Sequence, residues 1–421
     1  MYSWYKLLTY LFYPIAPIYL LIRKLKKKED SLSYKEKLSH INIPRDNGFL
    51  IWFHVASVGE AMSILPLIES YIENKKIDKV LITSITLSSG KILGKKYKKN
   101  AKVIHQFLPL DIPILIKKFL DHWKPNLSIF IDSEIWPNLI FQAKEREIPL
   151  LLLNARITEK SFNRWKLIIG FAKKIFGKFD LCIASNKQSE EFLKILGIKY
   201  IKNFGNLKFS QTKKKTDNKL DINFLNKIKN RKTWCAASTH PDEEILCGKS
   251  HLNIKIKYQD VLTIIIPRHI ERAEKIKKEL SNLDLKVIFH SQLNELDKST
   301  DVLIVDSYGE SVKFYDISNY VFVGKSLSKN LIMHSGQNPL EPAKLGCKIF
   351  HGPNVTNFTE IYDYLYTLGI AKKVNNHEEL YLSLVEEFIK NEPKNDKISS
   401  KIESYGQNIF NNVVMELKKY I

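Results

Sequence analysis

Short, uninterrupted runs of apolar residues recur along the chain, separated by stretches in which apolar and polar positions follow a helical period. Strands of a parallel sheet have such continuous runs, because helices cover both faces of the sheet. The helical stretches, for example Ala61–Ile72 and Leu139–Arg146, complete a β–α alternation typical of doubly wound α/β folds. The first half of the chain contains predicted strands at Phe49–Val55, Val80–Thr83, Leu127–Ile131 and Leu150–Leu153.

The second half repeats this scheme, with a clear amphipathic helix at Ile270–Leu280. A second doubly wound sheet is therefore expected there. Its predicted strands are Thr233–Ala237, Val261–Ile266, Lys286–Phe289, Val302–Val305 and Tyr320–Val323.

The segment Gln211–Lys219 (QTKKKTDNK) between the halves is polar and charged, and predicts a linker. Two Rossmann-like domains joined there would leave an interdomain cleft at the carboxyl ends of both sheets, where ligands bind in such folds. We expect a terminal segment at 1–30, a first domain at 31–210, a linker at 211–220 and a second domain at 221–421.

The terminal segment is apolar and aromatic over Ser3–Ile22, and the basic run Arg23–Lys28 follows directly. A length of about 20 residues is close to the minimum for crossing a bilayer, but Pro14 and Pro17 weaken a straight helix. Three interpretations are open: a spanning anchor, an interfacial helix with Trp and Tyr at the headgroups, or a buried core helix. In the first two, the cations would hold the rest of the chain on the cytoplasmic side of the membrane, and a chain beginning near Ser31 is expected to fold without the segment.

Charge is distributed unevenly along the chain. The net charge is +21, and residues 1–210 contain 35 basic and 18 acidic side chains, against 31 and 27 in the remainder. A basic surface favours a polyanionic partner, such as nucleic acid, an anionic membrane surface or a phosphorylated substrate. An AT-rich genome would also raise the Lys total, but it does not explain the difference between the halves. The four scattered cysteines form no CxxC pair, which argues against a disulfide scaffold and a zinc ribbon.

Three motifs of the first half follow predicted strands or precede the linker. HVASVGE places Glu60 at a helix start, where a carboxylate could be a general base or could simply complement the helix dipole. IDSEIWPNLI places Asp132 and Glu134 at a strand end, where they could stabilise positive charge, bind hydroxyls or cap a helix; Pro137 suits the first turn of that helix. FGNLKFS supplies Lys208, an ammonium that could meet a leaving phosphate.

The motifs of the second half, STHPDEE, PRHIER, SYGE and GQNPLEPAKLG, each follow an apolar run and open a predicted helix. A helix N-terminus beside an Arg is a natural anion site, and Arg268 can bind a phosphate through two N–H donors. In the last motif, Asn338 and Glu341 lie at a helix start, where a carboxylate could accept hydrogen bonds from both hydroxyls of a ribose. The chain has no GxGxxG and no GxxxxGK[ST] motif, so the usual dinucleotide and P-loop sites are excluded.

Together these segments resemble the 3-deoxy-D-manno-octulosonic acid (Kdo) transferases of lipopolysaccharide synthesis, in order and spacing across nearly the whole chain. The resemblance implies an α/β GT-B fold, with two Rossmann-like domains and an N-terminal membrane-associating segment. It implies inverting transfer of Kdo from CMP-Kdo to a phosphorylated lipid A precursor at the cytoplasmic face of the inner membrane. Anionic lipids are expected partners, nucleic acid is not, and neither metal nor another cofactor is expected. The elements that carry the resemblance are HVASVGE, SEIWPN, the segment Asn154–Trp165, FGNLKFS, ASTHPDEE, PRHIER and NPLEPA.

The resemblance also implies roles for particular residues. Glu60 matches the catalytic base of the family, and Asp132 and Lys208 match residues that stabilise the transition state. The positions that match CMP-binding residues are Arg268, His269, Gly309, Glu310, Ser311, Asn338, Pro339, Leu340 and Glu341.

Two departures from the family pattern stand out. Asp132 replaces the usual Glu, so its carboxylate is one methylene shorter. The usual Gly-Gly-His-Asn is here the segment Ser335–Asn338, in which Gln337 cannot titrate as His does. A GT-B transferase that uses a UDP-sugar, and a basic protein that binds membranes or nucleic acid without catalysis, are the alternatives; the second does not explain the acidic residues at the strand ends.

Overall fold

The chain forms two compact units in the computed structural model, which describes residues 1–31, 33–41, 43–211, 220–328 and 336–421. Unit 1 comprises Met1–Gln211 and Tyr405–Ile421, and unit 2 comprises Thr212–Ser404. Most of the predicted linker, residues 212–219, lies outside the described residues.

Unit 1 contains a seven-stranded, fully parallel sheet with the order β3-β2-β1-β4-β5-β6-β7. The direction of winding reverses between β1 and β4, which pair directly, with His54 opposite Phe130. Every residue of β1 is buried, as its continuous apolar run predicted. The strands are β1 (Leu50–Val55), β2 (Lys79–Ser84), β3 (Val103–Phe107), β4 (Leu127–Ile131), β5 (Leu150–Ala155), β6 (Leu181–Ala184) and β7 (Ile201–Asn203).

Helices cover both faces of this sheet, and several begin with a side-chain cap. Ser57, Thr86, Thr158 and Asn186 each accept a hydrogen bond from the backbone N–H three residues on, which satisfies a donor that the helix itself leaves unpaired. The helices are α1 (Tyr2–Leu11), α2 (Ala16–Leu25), α3 (Val58–Glu73), α4 (Leu87–Tyr97), α5 (Pro113–Trp123), α6 (Pro137–Glu145), α7 (Glu159–Lys166), α8 (Ile169–Phe176) and α9 (Lys187–Ile195).

Unit 2 contains a second seven-stranded parallel sheet, with the order β10-β11-β9-β8-β12-β13-β14. Its winding reverses between β8 and β12. Trp234, Phe322 and Phe350 lie in its core and are fully buried. The strands are β8 (Thr233–Thr239), β9 (Leu262–Pro267), β10 (Val287–Phe289), β11 (Val302–Ile304), β12 (Tyr320–Val323), β13 (Lys348–His351) and β14 (Ala371–Lys373). The helices are α10 (Ile222–Ile228), α11 (Glu243–Lys255), α12 (Ala273–Ser281), α13 (Ser311–Ile317), α14 (Leu340–Lys344), α15 (Thr359–Thr367), α16 (His377–Lys390) and α17 (Asp396–Leu417).

The end of the chain differs from the sequence-based boundary. The second domain was predicted to run to residue 421, but Tyr405–Ile421 belongs to unit 1. Glu416 forms an ion pair with Lys202 at 2.7 Å, and the rings of Tyr405 and Phe209 lie edge to face. Gly406 permits this contact, because any side chain there would collide with the Phe209 carbonyl. An amphipathic pattern shows that α17 is a helix, but it does not show which sheet each part of the helix covers.

The terminal segment consists of two short helices, α1 and α2, bent by 65°. No single helix in the described ranges has the length and apolar character of a membrane span, although this bent pair taken together does. Neither helix lies in the core: α1 has no buried residue, and α2 buries only Ala16 and Leu20. The interpretation as a buried core helix is therefore wrong.

Polar contacts hold α1 against the rest of unit 1. The Tyr5 hydroxyl donates to the Asp111 carboxylate at 2.9 Å, and the Asn138 amide donates to Thr9 Oγ1 at 2.9 Å. Asp111 also accepts backbone N–H groups from the first turn of α6, and burial raises its pKa to about 6. The other side of the helix pair is apolar and exposed, with Trp4, Leu8, Leu11, Ile15, Ile18, Leu21 and Leu25 among its side chains.

A buried ion pair fixes the chain that follows α2. The Lys37 ammonium lies 2.6 Å from Glu29 and donates to the Ile85 carbonyl, and both charged side chains are almost completely buried. Arg23 also donates to the Glu29 carboxylate, at 2.5 Å. Residues before Ser31 thus supply the counter-charge for a buried Lys beyond it.

Candidate active site

The switch point of the first sheet brings together the predicted side chains of unit 1. β1 and β4 are neighbours that run in the same direction, so the turns after them meet at one edge of the sheet. Such a point, outside the carboxyl ends of the strands, is where open α/β sheets bind ligands. The turn after β1 supplies Glu60, and the turn after β4 supplies Asp132 and Glu134.

Glu60 lies in the first turn of α3, and its carboxylate is held by the turn that precedes the helix. The Ala56 N–H donates to Oε2 at 2.7 Å, and the Ser57 hydroxyl donates to Oε1 at 2.7 Å. Burial is the main cause that raises its pKa, to about 7; the charges of Asp132 and Glu134 act in the same direction, and the two hydrogen bonds oppose them. Glu60 therefore lies where its charge can complement the helix dipole, and it also has the pKa that suits a general base at neutral pH.

Asp132 adopts a left-handed backbone conformation, with φ of +64°, directly after β4. Its side chain is half-buried, and burial raises its pKa. The positive charges of Lys208 and Arg156 partly offset this effect. The charge on Asp132 in turn raises the pKa of Glu60, so these groups form one electrostatic cluster.

Lys208 is brought to this cluster by a short 3₁₀ turn, Leu207–Ser210, which packs against α3. Asn206 caps the turn by accepting the Lys208 N–H at 3.0 Å. The buried Asn154 side chain accepts the Leu207 N–H at 2.8 Å and so ties the turn to the end of β5. Asn154 itself has a φ of +51°, a conformation that Asn tolerates better than most residues.

Glu134 is a further carboxylate of the site, and the resemblance to the family assigned no role to it. Its Oε2 accepts the Trp136 indole N–H at 2.8 Å and lies 3.2 Å from Nε2 of the fully buried His54. His54 Nδ1 lies 2.9 Å from Thr83 Oγ1, which accepts the Trp52 indole N–H. The Thr83 hydroxyl can therefore donate to Nδ1, which favours the tautomer with the proton on Nε2, directed at Glu134. In the sequence, the residues that could have pointed to this network were the His of HVASVGE and the Trp of SEIWPN.

The switch point of the second sheet, between β8 and β12, has positive charges around it. Arg268 and His269 follow β9 and are exposed, while His240 follows β8 and Lys325 follows β12. Burial is the main cause that lowers the pKa of His240, to about 4, and the charges of Lys325, His269 and Arg268 lower it further. His240 is thus neutral at pH 7 within a cluster of cations, as expected at an anion site.

Glu243, buried in the first turn of α11, shapes the loop that follows β12. Its carboxylate accepts the backbone N–H groups of His240, Lys325, Ser326 and Leu327 at 2.7–2.9 Å. Gly324 is needed beside it, because a Cβ there would lie 2.6 Å from the Ser238 carbonyl oxygen. Within the segment Ser335–Asn338, where the sequence departs from the family pattern, Ser335 falls outside the described residues. Gln337, the other departure, is half-buried, and its backbone carbonyl accepts the Tyr362 hydroxyl at 3.3 Å.

The remaining predicted CMP-binding positions lie at the starts of α13 and α14. Glu310 pairs with Lys313 at 2.5 Å, and Ser311 is hydrogen-bonded to the buried Tyr315. Burial is the main cause that raises the pKa of Tyr315, and the charge of Glu341 raises it further. The Asn338 side chain accepts the Leu340 N–H at 3.1 Å. The other predicted positions differ in what they can offer a ligand: Gly309 is exposed, whereas Pro339 and Leu340 are buried and present only their main chains.

Two parallel seven-stranded sheets, each with charged side chains at its switch point, define the GT-B fold. The fold is similar to that of UDP-GlcNAc 2-epimerase from Neisseria meningitidis, with a TM-score of 0.57 at 14% identity over 87% of this chain and 99% of that one. A family model described as 3-deoxy-D-manno-octulosonic-acid transferase matches residues 32–211.

Curated relatives cover more of the chain. A 3-deoxy-D-manno-octulosonic acid transferase of Rickettsia bellii is 36% identical over 405 residues, which span 96% of this chain and 93% of the relative. One from Haemophilus influenzae is 30% identical over 83% of this chain and 81% of the relative. The chain belongs to the Kdo transferase family and is a glycosyltransferase. The resemblance and the GT-B fold that the sequence predicted are confirmed.

Proposed function

We propose that this protein transfers Kdo from CMP-Kdo to a hydroxyl group of a lipid A precursor, with inversion at the anomeric carbon. The observation that carries the proposal is the cluster of unit 1, where Glu60, with a pKa of about 7, lies within electrostatic reach of Asp132, which in turn interacts with Lys208. Transfer to a hydroxyl needs a base for its proton and opposite charges for the separating sugar and phosphate. This cluster contains groups for each of these requirements.

Glu60 acts as the base in this mechanism. Its ionised carboxylate accepts the proton of the attacking hydroxyl as the new glycosidic bond forms, and the bond from the anomeric carbon to the phosphate of CMP breaks. Asp132 and Glu134 provide negative charge for a sugar that becomes electron-poor in the transition state. Lys208 provides positive charge for the departing phosphate.

Unit 2 binds the nucleotide in this proposal. Arg268 and His269, exposed beside Lys325, supply donors and positive charge for the phosphate of CMP. Glu341 and Asn338, at the start of α14, accept hydrogen bonds from ribose hydroxyls, and Pro339 and Leu340 contribute main-chain groups. Gly309, Glu310 and Ser311 complete the nucleotide site at the start of α13.

The protein associates with the cytoplasmic face of the inner membrane through α1 and α2 in this proposal. Contacts of Tyr5 and Thr9 hold α1 against unit 1, while most of the large apolar side chains of the pair are exposed. These features favour an interfacial helix pair over a spanning anchor. The basic residues of the first half then lie close to anionic lipid headgroups.

Mass spectrometry tests the reaction directly. We expect the purified protein, incubated with CMP-Kdo and a lipid A precursor in detergent, to yield a Kdo-bearing lipid and free CMP. Turnover of a UDP-sugar, with none of CMP-Kdo, would overturn the proposal in favour of a different GT-B transferase. A protein that binds the lipid but turns over neither donor would also overturn it.

A further inference from the structure

A small cavity of about 110 Å³ opens beside Asp132 and has no role in the mechanism above. The turns after β4 and β5 and the helices α7, α8 and α9 supply most of its lining. Asp132, Arg156 and Ser161 form its polar part, while Trp165 and Phe176 contribute apolar wall, in edge-to-face contact with each other at 5.2 Å. Pockets that enclose whole small-molecule ligands are about 300–1,000 Å³, so this cavity can admit only part of a substrate.

Arg156 reaches the cavity because of the backbone around it. Asn154 has a left-handed conformation and the β5–β6 register shifts after Leu153, so the chain turns as it leaves the sheet. The backbone N–H of Arg156 then donates to the backbone carbonyl of Asp132 at 3.4 Å, and this hydrogen bond joins the two turns. Arg156 and Asp132 both line this cavity, and their charged groups interact electrostatically.

The charges of this lining select for a neutral ligand group. One cation and one anion leave no net charge for recognising a phosphate or an ammonium. Arg can only donate hydrogen bonds and an ionised Asp can only accept them, so together they match a hydroxyl, which does both. The apolar wall, including the Trp165 indole, suits the C–H groups of a sugar ring.

We propose that this cavity is a subsite for a hydroxyl-bearing carbon of a sugar substrate, with Arg156 donating and Asp132 accepting hydrogen bonds at the hydroxyl. This inference rests on the proposed function, because only a sugar substrate brings such a group to Asp132. The hydroxyl can belong to the acceptor sugar or to the transferred sugar of the donor. The two sources have the same chemistry and are separated by the kinetics.

Two variants test the subsite in the full-length protein. Ser161→Leu fills the cavity but leaves the backbone N–H of residue 161 free to donate to the Thr158 cap. Arg156→Gln removes the charge and the forked donor group. The exposed neighbours Asn163 and Arg164, which do not line the cavity, provide matched controls as Asn163→Leu and Arg164→Gln.

A hydrogen bond to a charged group is worth about 1.5–3 kcal/mol, so we expect each cavity variant to raise one KM by roughly 10- to 100-fold while kcat changes little. A rise in the KM of the lipid acceptor assigns the subsite to the acceptor sugar, and a rise in that of CMP-Kdo assigns it to the transferred sugar. The controls should keep both KM values.

Unchanged KM values for both substrates would overturn the inference. So would a loss of kcat alone in Arg156→Gln, because Arg156 would then only support the charge of Asp132. If the melting temperature shows that Ser161→Leu is unfolded, Arg156→Gln decides alone. A wild-type protein without Kdo transfer would overturn the proposed function itself, and this inference with it.

Discussion

At the scale of single residues, the chemistry of unit 1 depends on how far water is removed from its carboxyl groups. Glu60 and Asp132 both have raised pKa values, with burial as the first cause, and each lies near positively or negatively charged neighbours that modify the effect. Glu60 combines a structural and a chemical task, since the turn that begins α3 also orients its carboxylate through two hydrogen bonds. A substitution there should therefore separate activity from stability.

Glu60→Gln should lower kcat by about 10²–10⁴-fold, because removal of a general base has that effect. In the wild-type protein, kcat/KM should rise with pH through about 7 as Glu60 ionises. Kinetics of the variant and a pH profile of the wild type check both expectations. Glu73→Gln, an exposed position on the same helix, is the control. Near-normal turnover by Glu60→Gln would exclude Glu60 as the base.

The same variant, Glu60→Gln, should gain stability although it loses activity. The folded-state pKa lies above the ordinary value of 4.5, so the free energy of unfolding of the wild type falls as pH rises from about 4.5 to about 7. The variant lacks this loss and should be more stable above pH 7, by at most about 3 kcal/mol. Urea unfolding at pH 5 and pH 8 measures the difference; a variant equally destabilised at both would contradict the pKa shift.

At the scale of elements, two contacts between residues distant in the sequence fix the place of segments that no local pattern would place. Asn154, at the end of β5, holds the turn that carries Lys208, and Asp111, just before α5, holds α1 through Tyr5. In both cases, one buried acceptor satisfies donors from another segment. Loss of such a contact should release one element while the sheet stays intact.

Asn154→Gly keeps the left-handed conformation but removes the acceptor for the Leu207 N–H, which costs about 1–3 kcal/mol when the group stays buried. We expect kcat to fall at least about 10-fold because Lys208 is no longer held in place. Comparison with Lys208→Met tests this: if Asn154 acts through Lys208, the double variant should be no slower than Lys208→Met alone. Additive losses would show that Asn154 acts independently.

Tyr5→Phe should loosen α1 by about 1.5–3 kcal/mol, because the hydrogen bond to the Asp111 carboxylate is lost. Hydrogen exchange of residues 2–11 should become faster while that of the sheet does not change. Tyr10→Phe, in which the side chain is half exposed, is the control. Equal exchange in the two variants would mean that apolar packing alone holds α1.

At the scale of the whole molecule, the basic half of the sequence and the apolar helix pair belong to the same unit. Much of the surface of α4 is basic, with exposed Lys91, Lys95 and Lys96, and Lys98 directly after the helix is exposed too. Each Lys near anionic headgroups contributes about 1 kcal/mol within a Debye length. The terminal segment also contributes one buried side chain to unit 1, that of Glu29, which pairs with Lys37.

Charge reversal of Lys91, Lys95 and Lys98 should weaken binding of the full chain to vesicles that contain phosphatidylglycerol. The effect should be largest at low salt and absent with phosphatidylcholine vesicles. Vesicle sedimentation measures the binding, and affinity for CMP should not change. The same reversal at Lys275, Lys277 and Lys278 of α12 is the control. If both triple variants lost binding equally, the basic first half would reflect overall charge rather than a docking surface.

Removal of residues 1–30 should destabilise unit 1, contrary to the sequence-based expectation. The cut removes Glu29 and leaves Lys37 as a buried charge without its partner, a change that costs about 3–5 kcal/mol. The melting temperature of the truncated protein should therefore fall, and Lys37→Met should restore part of it. An unchanged melting temperature would show that Lys37 reaches water once Glu29 is gone.

The sequence by itself determined the parts of the fold that local patterns encode. Continuous apolar runs predicted β1, β4 and β9 almost to the residue, because strands buried on both faces need apolar side chains at every position. β3 was missed because His105 and Gln106 interrupt its run, and β14 because its strand is partly exposed. Motif order identified the family and placed Glu60, Asp132 and Lys208 among the candidates.

The tertiary structure alone decided which of these local elements share an environment. That Tyr405–Ile421 completes unit 1 and that His54 orients Glu134 both depend on contacts between residues far apart in the chain. The ion pair of Glu29 and Lys37 joins residues only eight positions apart, but its burial depends on the fold around it. The pKa of Glu60 is of the same kind, because burial and neighbouring charges set it and neither is a property of HVASVGE itself. Hydrophobic periodicity acts over a few residues, whereas desolvation and electrostatic interaction depend on distances that only the folded chain defines.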